Sequence, residues 1–533
     1  MTTPTFGRRS FLGLAGAAAA GSLFVATGCE SAVSQSTAGS PAGSEPKRGG
    51  TVAAGISEDL IPGNFFTNST AGITTVIGLA YDSLIRYPND KVEPTPRLAT
   101  SWKLGADGRS LTLELRDDVR FHSGRPFTSA DAAFSIKTYA DPLWNGQLKS
   151  TAAAITSIDT SEPHRVVLKF EHPLSNIFDL LDTVPIVDSE SLSQLRSGEK
   201  FVGTGPFVVT SWSPHSSLVF ERNPNYWVPD RPYVDGVDVK IITDAKALLS
   251  SLKSGQISFA DGLSYLDTEN LVKSGGFTDH RLEGAETQLY VGANVTAKPL
   301  DDLRLRKAIA YAVDRDRIVT EVLRGVGYAI NLPWPKYSPA YDEKRNATFA
   351  RDLAKAKALV AEIGTIAKLP LTYISGNPLT EATASIVQSD LETVGIPVEL
   401  DPVDGAQFVK QLIGAEFAGL WTTFHSWAQY TPSTLTVSAY PFNARKNASR
   451  FDSAAYIKDA DAAWQFADGQ STAATQAYGK LSDDLLADLF LVELAVVLPS
   501  WASSPRLQGV DYTKRSELQL TNAWLADAAR AGS

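Results

Sequence analysis

Cysteine is nearly absent from this chain: one in 533 residues, at position 29, and the one methionine is the first residue. A single thiol rules out an internal disulfide, a cysteine-rich zinc site and an iron–sulfur cluster. Histidine is scarce as well, six in all, and no two stand in the H-E-x-x-H spacing of a metalloprotease. The G-x-S-x-G elbow of serine hydrolases does not occur. There is no Walker loop, and "GVGYAI" from Gly325 lacks the spacing of a dinucleotide fingerprint, so no cofactor is expected. No apolar run reaches the ~20 residues that span a bilayer. Basic runs are missing too, and the formal charge of −10 makes nucleic acid an unsuitable partner. No repeat of fixed period is visible.

What is present begins at the amino terminus. Arg8 and Arg9 precede a short Ala- and Gly-rich apolar stretch from Phe11 to Val25, and small residues lead into Cys29. Charge, apolar run and small residues in that order make an export signal over residues 1–28. The pair Arg8-Arg9 followed by Ser10, Phe11 and Leu12 resembles a twin-arginine signal. Ala26, Thr27 and Gly28 before Cys29 resemble a lipobox, with Ala26 where that pattern usually has Leu. The resemblance implies that Cys29 is acylated and becomes the mature terminus, and two acyl chains suffice for stable anchoring. Residues 29–50 are mostly Ser, Ala, Gly and Pro, a composition too poor in large apolar groups to fold. They are expected to form a flexible stalk.

From Thr51 onward strand and helix patterns mix. "SLTLELR" alternates Leu111, Leu113 and Leu115 against polar residues, as a half-buried strand does; "RVVLKF" and "VDVKII" read alike. "RDLAKAKALVAEIG" places Leu353, Ala356, Val360 and Ile363 on one helical face and ends at Gly364. "LPLTYIS", "LTEATASIVQSDLETVG" and "IPVEL" succeed one another as strand, helix, strand, with Val387, Leu391 and Val394 on the buried side. A parallel pair follows from that unit, so the fold class is α/β.

Three longer segments carry a resemblance: "LATSWKLGADGRSLTLELRDDVRFHSGRPFTSADAAFSIK" from Leu98, "GTGPFVVTSWSPHSSLVFERNPNYW" from Gly203, and "KPLDDLRLRKAIAYAVDRDRIV" from Lys298. Locally they show a turn at Ala106-Asp107-Gly108, a helix opened by Thr128 or Ser129, a bend at Gly203 to Pro206 and a cap at Asp314. In order and wording they resemble the extracellular solute-binding proteins of ABC importers, the class of dipeptide-, oligopeptide- and nickel-chelate-binding proteins. The resemblance implies a two-lobed periplasmic-binding-protein-like fold with a hinge and an extra subdomain. The pieces expected are lobe I at 51–82, 203–290 and 500–533, the subdomain at 83–202, and lobe II at 291–499. It further implies a monomer outside the cytoplasm, tethered to the cell membrane, that passes a peptide or peptide-like solute to permease subunits without catalysis. A metal chelate, opine or oligosaccharide is the alternative cargo. An exported hydrolase is the rival class, since glycosidases need only two carboxylates among the 59 acidic residues here.

The stretch "FHSWAQYTPSTLTVSAYPF" from Phe424 resembles the cleft lining of that class. It implies ligand contact by Trp427 and Tyr430, with Gln429 and His425 beside them. Peptide-binding members commonly place an aspartate shortly after the tryptophan to pair with the peptide's ammonium; here Ala428, Gln429 and Tyr430 follow, and no carboxylate precedes Pro432. An acidic residue elsewhere would have to serve, because a buried ammonium without a counter-charge costs several kcal/mol. Trp334, on the Pro-constrained loop "NLPWP", either caps the cleft or plugs a hydrophobic gap, and it is carried as a ligand-contact candidate on the first reading. No metal site is expected.

Overall fold

Alternating strands with one apolar face assemble into three main sheets. Thr51–Ile56 lies parallel to both Gly236–Ile241 and Phe259–Asp261. Four antiparallel neighbours, Ser217–Arg222, Phe207–Ser213, Ser500–Ser503 and Thr278–Arg281, complete a seven-stranded sheet, lobe I. A computed structural model describes residues 45–527 apart from 68, 69 and 145. The expected export signal with Arg8 and Arg9, and Cys29, lie outside the described residues. The end of the expected stalk is described, and it is already part of the body. The Gly49 amide donates to the Tyr233 carbonyl (2.9 Å), the Gly50 amide to Asp235 Oδ2 (2.8 Å), and Arg48 pairs with Asp230 (2.7 Å).

The subdomain is a four-stranded antiparallel sheet of Ala99–Leu104, Ser110–Leu115, Arg165–Phe170 and Ile155–Glu162. Its register sets Leu111 opposite Leu168 and Leu113 opposite Val166, so the alternation read from the sequence becomes one buried face. The turn into Ser110–Leu115 contains Gly108 at φ +69°, a left-handed conformation that glycine adopts without strain. Helix Ser129–Ala140 opens with a capping box in which Asp131 Oδ2 accepts from the Thr128 amide at 2.9 Å.

Lobe II has a six-stranded sheet in the order Gly327–Ala329, Leu491–Val497, Thr287–Ala293, Leu420–His425, Leu369–Ile374, Val398–Val403. Leu369–Ile374, helix Pro378–Thr393 and Val398–Val403 form the expected parallel unit, with Val387, Leu391 and Val394 buried. Helix Leu353–Ile363 stops at Gly364 (φ +86°) and rests on helix Leu303–Ala312. Asp314 accepts from the Arg317 amide at 2.9 Å, as a cap.

The chain crosses from lobe I to lobe II between Arg281 and Thr287 and returns through Leu498 and Pro499. The boundary expected after residue 290 falls inside strand Thr287–Ala293. That strand pairs from its first residues, Gln288 opposite His425, so the change of lobe lies at 282–286. One cluster of apolar side chains runs through subdomain and both lobes, and a second, smaller one underlies lobe I around Leu248, Leu252 and Leu271.

Candidate functional site

Parallel strands point their carboxyl ends the same way, and ligands of open α/β sheets bind beyond those ends. In lobe I, Ile56 lies opposite Asp261, so Glu58 and Asp261 sit at the carboxyl ends of two parallel strands. In lobe II the three parallel strands end at Ile374, Val403 and His425. Both crossings are at these same edges: Arg281 pairs with Ser500 in lobe I, and Thr287 with Val497 in lobe II. The carboxyl ends of the two lobes therefore face one another about the crossings. Arg324 Nε donates across the lobes to Glu269 Oε2 (3.0 Å), and the Tyr265 hydroxyl donates to the carbonyl of Leu498 in the return crossing (3.0 Å).

The lobe I side is acidic. Glu58, exposed as a residue, accepts from the Ala71 amide at 3.2 Å, and loss of water around its carboxyl pushes it above the usual range. Asp261 is pushed up to about 7, by burial first and by the charge of Glu58 second. Neither carboxylate has an ion-pair partner among the described residues.

On the lobe II side the chain leaves strand Leu420–His425 into the segment that the sequence singled out. Trp427 and Tyr430 stack at 5.7 Å between ring centres and 25° between planes. Both are buried. The Tyr430 hydroxyl donates to Asp182 Oδ2 at 2.7 Å. Asp179, one helical turn earlier in Ile177–Thr183, receives the Thr431 amide (3.1 Å), the Thr434 hydroxyl (2.6 Å) and the Tyr87 hydroxyl (2.8 Å). Burial still prevails over these donors and raises Asp179 to about 7. Gln429 Nε2 donates to the Lys514 carbonyl at 3.0 Å, and burial lowers the Lys514 ammonium to about 8. Four chain pieces thus meet at residues 427–434: lobe II, the subdomain helix, the stretch bearing Tyr87 and the carboxyl-terminal piece of lobe I.

His425, the last residue of its strand, is buried against the rings of Phe442 (4.6 Å) and Tyr290 (5.6 Å). Its Nε2 stands 3.8 Å from Glu493 Oε1, beyond hydrogen-bond reach. Trp427 Nε1 and Gln429 Oε1 are likewise buried without a partner. Trp334 is fully buried in lobe II, its Nε1 donating to Ser482 Oγ at 2.9 Å on helix Thr472–Asp488, which matches the gap-filling one of its two readings. Among the described residues no group of three or more His, Cys, Asp or Glu side chains could hold a metal ion.

Sequence reasoning missed Glu58, Asp179, Asp182, Asp261, Gln288, Glu493 and Lys514. For Glu493 a signal existed, a lone carboxylate inside the otherwise apolar strand "LVELAVV". Asp179 and Asp182 carried none, because only the docking of the subdomain on lobe II gives them a role.

Comparison with known proteins agrees with this architecture. The family model for bacterial extracellular solute-binding proteins, family 5, middle region, matches residues 93–448. The chain is 26% identical over 417 residues to the oligopeptide-binding protein AppA of Bacillus subtilis (strain 168), covering 72% of this chain and 75% of that protein. The solved structure of AppA with a nonapeptide superposes with a TM-score of 0.78 at 22% identity, covering 91% of this chain and 100% of that one. The binding protein AgaA from A. tumefaciens R10, in complex with agropinic acid, gives a TM-score of 0.79 at 24% identity, with coverage of 91% and 100%. These likenesses establish the two-lobed fold.

Proposed function

Since the chain belongs to the bacterial extracellular solute-binding proteins of family 5, we propose that it captures a peptide or peptide-like solute between its lobes and delivers it to the permease of an ABC importer. The observation that carries this reading is the facing of the two sets of strand ends, with buried polar atoms of Trp427, Gln429 and His425 left unpartnered on one side. Closing lobes over a solute removes its surface from water and turns occupancy into a shape the permease reads. No bond is made or broken in that act.

In this reading Trp427 offers a ring face and its indole N–H. Tyr430 offers a ring face only, its hydroxyl being held by Asp182. Gln429 offers its free carbonyl oxygen, and His425 its ring nitrogens. Peptides rank first because the relative compared by sequence is named for oligopeptide binding. A metal chelate, opine or oligosaccharide is the second reading, favoured by the absence of a carboxylate between Trp427 and Pro432. The protein works outside the cytoplasm as its family does; export through Arg8 and Arg9, anchoring through acylated Cys29 and a monomeric state are part of the proposal.

Native mass spectrometry of protein purified from its own host tests it. The expected spectrum shows the folded chain carrying masses of short peptides, which collisional activation releases. A co-purified opine, metal complex or sugar would replace the peptide reading.

A further inference from the structure

Gln288, Tyr290, His425 and Glu493 lie on one face of the lobe II sheet. The register fixes this: Gln288 is opposite His425, and Tyr290 is opposite Glu493 on the other side. All four are more than nine-tenths buried. Among the described residues, both carboxylate oxygens of Glu493, both amide atoms of Gln288, both ring nitrogens of His425 and the Tyr290 hydroxyl meet no partner in hydrogen-bond geometry; the near approaches are His425 Nε2 to Glu493 Oε1 at 3.8 Å and the Trp421 indole beside the Tyr290 hydroxyl. Each such atom costs about 1–3 kcal/mol when left unmet, and buried polar groups in native proteins are nearly always satisfied. Something other than the described side chains meets them.

Charge narrows what that is. The Glu493 carboxylate has no hydrogen-bonded cation. Of the two basic side chains that act on it, His425 stands 3.8 Å away, too far for a hydrogen bond, and Arg315 spends its guanidinium on main-chain carbonyls of Glu493 (2.8 Å), Ala310 (3.0 Å) and Phe349 (3.3 Å). Burial raises the Glu493 carboxyl above the usual range, and water alone would satisfy its lone pairs while bringing no counter-charge closer than His425. A resident metal ion is not favoured, since one carboxylate and one histidine fall short of a closed ligand set. A primary ammonium fits: its three N–H donors match a Glu493 oxygen, Gln288 Oε1 and the unprotonated nitrogen of His425. The Gln288 amide hydrogens and the Tyr290 hydroxyl remain to donate to a carbonyl beside it.

We propose that Gln288, Tyr290, His425 and Glu493 form a subsite that takes a primary ammonium group of the solute, with the Glu493 carboxylate as its counter-charge. Trp427 follows His425 by two residues in the chain, and the subsite rests on the peptide reading above. It supplies from an interior strand the negative charge that the segment after Trp427 lacks.

The probes are trialanine, tetraalanine and pentaalanine, each with a free and with an N-acetylated terminus, and binding is read by native mass spectrometry and calorimetric titration. Wild-type protein is expected to bind at least one free-amino peptide and to take its acetylated partner at least about a hundredfold more weakly. Glu493→Gln, which keeps the shape and removes the charge, is expected to weaken the free-amino peptide at least about tenfold while the melting temperature of unliganded protein stays level or rises. Equal binding of free and acetylated peptides by wild-type protein overturns the subsite and leaves the peptide reading standing. So does unchanged affinity in Glu493→Gln. Failure to bind any of the six overturns the peptide reading, and the subsite falls with it. The acetylation arm needs no variant, so a misfolded Glu493→Gln does not spare the proposal.

Discussion

Asp261 couples the candidate cleft to pH. Its folded value near 7 lies above the usual carboxylate range because of burial and the neighbouring Glu58. The folded state therefore holds a proton that the unfolded state releases near pH 4, and stability from this group falls as pH rises from about 4 to about 7. Above 7 both states are ionised and the effect is flat. His122 and His280, which burial drives toward the neutral form, act in the opposite sense below about pH 6.5, so absolute melting curves mix several groups. The difference between Asp261→Asn and wild type isolates one. The melting temperature of the variant relative to wild type should climb between pH 4 and pH 7 and then level off; a difference constant across that range means Asp261 titrates normally in the fold. At this scale the sequence was legible where a residue was odd for its surroundings. Trp427 and Tyr430 stood out by type and neighbourhood as candidates and do stack on one another, and Glu493 could have stood out in the same way. Trp334 shows the limit, because a tryptophan on a Pro-rich loop reads the same whether its indole meets a ligand or Ser482.

Strands and helices with regular patterns were legible because their causes are local. Leu111, Leu113 and Leu115 alternate, Gly364 ends its helix and Asp314 caps the next. The crossing at 282–286 was not, and the expected boundary missed it by several residues, since "LEGAE" has no period and its conformation is imposed by what lies against it. Gly284 shows how tightly. It adopts φ +83°, and a β-carbon there would stand 1.7 Å from the Asn89 carbonyl oxygen. Both the left-handed backbone and the contact with main chain exclude a side chain unless the crossing shifts. Gly284→Ala should cost about 1–3 kcal/mol, read as a lower urea midpoint with an unchanged slope. A midpoint within error of wild type would show that the crossing moves freely past residue 89, as a loose hinge would.

Across the whole molecule, three segments in order were enough to imply two lobes and a subdomain, because the pairing of distant pieces such as 51–56 with 236–241 and 259–261 comes with the two-lobed fold and not from any one stretch. The junction at Asp179, Asp182 and Tyr430 escaped the sequence for the same reason: its partners are some 250 positions apart. The tether is the reverse case, argued from sequence alone, as Arg8, Arg9 and Cys29 lie outside the described residues. A receptor that must hand cargo to a membrane permease gains from staying near it, and two acyl chains on Cys29 give stable attachment where one gives only reversible binding. The segment between Cys29 and the contacts made by Lys47, Arg48 and Gly49 would serve as the leash. Cys29→Ala is accordingly expected to leave the fold and solute affinity intact while moving the protein from the membrane fraction to the soluble extracytoplasmic fraction, with loss of the diacyl mass from the mature terminus. Replacing Arg8 and Arg9 together by lysine should instead hold the precursor inside the cell, since the export receptor reads the guanidinium pair. Wild-type protein recovered wholly in the soluble fraction with an unmodified Cys29 would refute the tether. Normal export of the double lysine variant would assign the leader to the general secretory route and leave the acylated cysteine untouched.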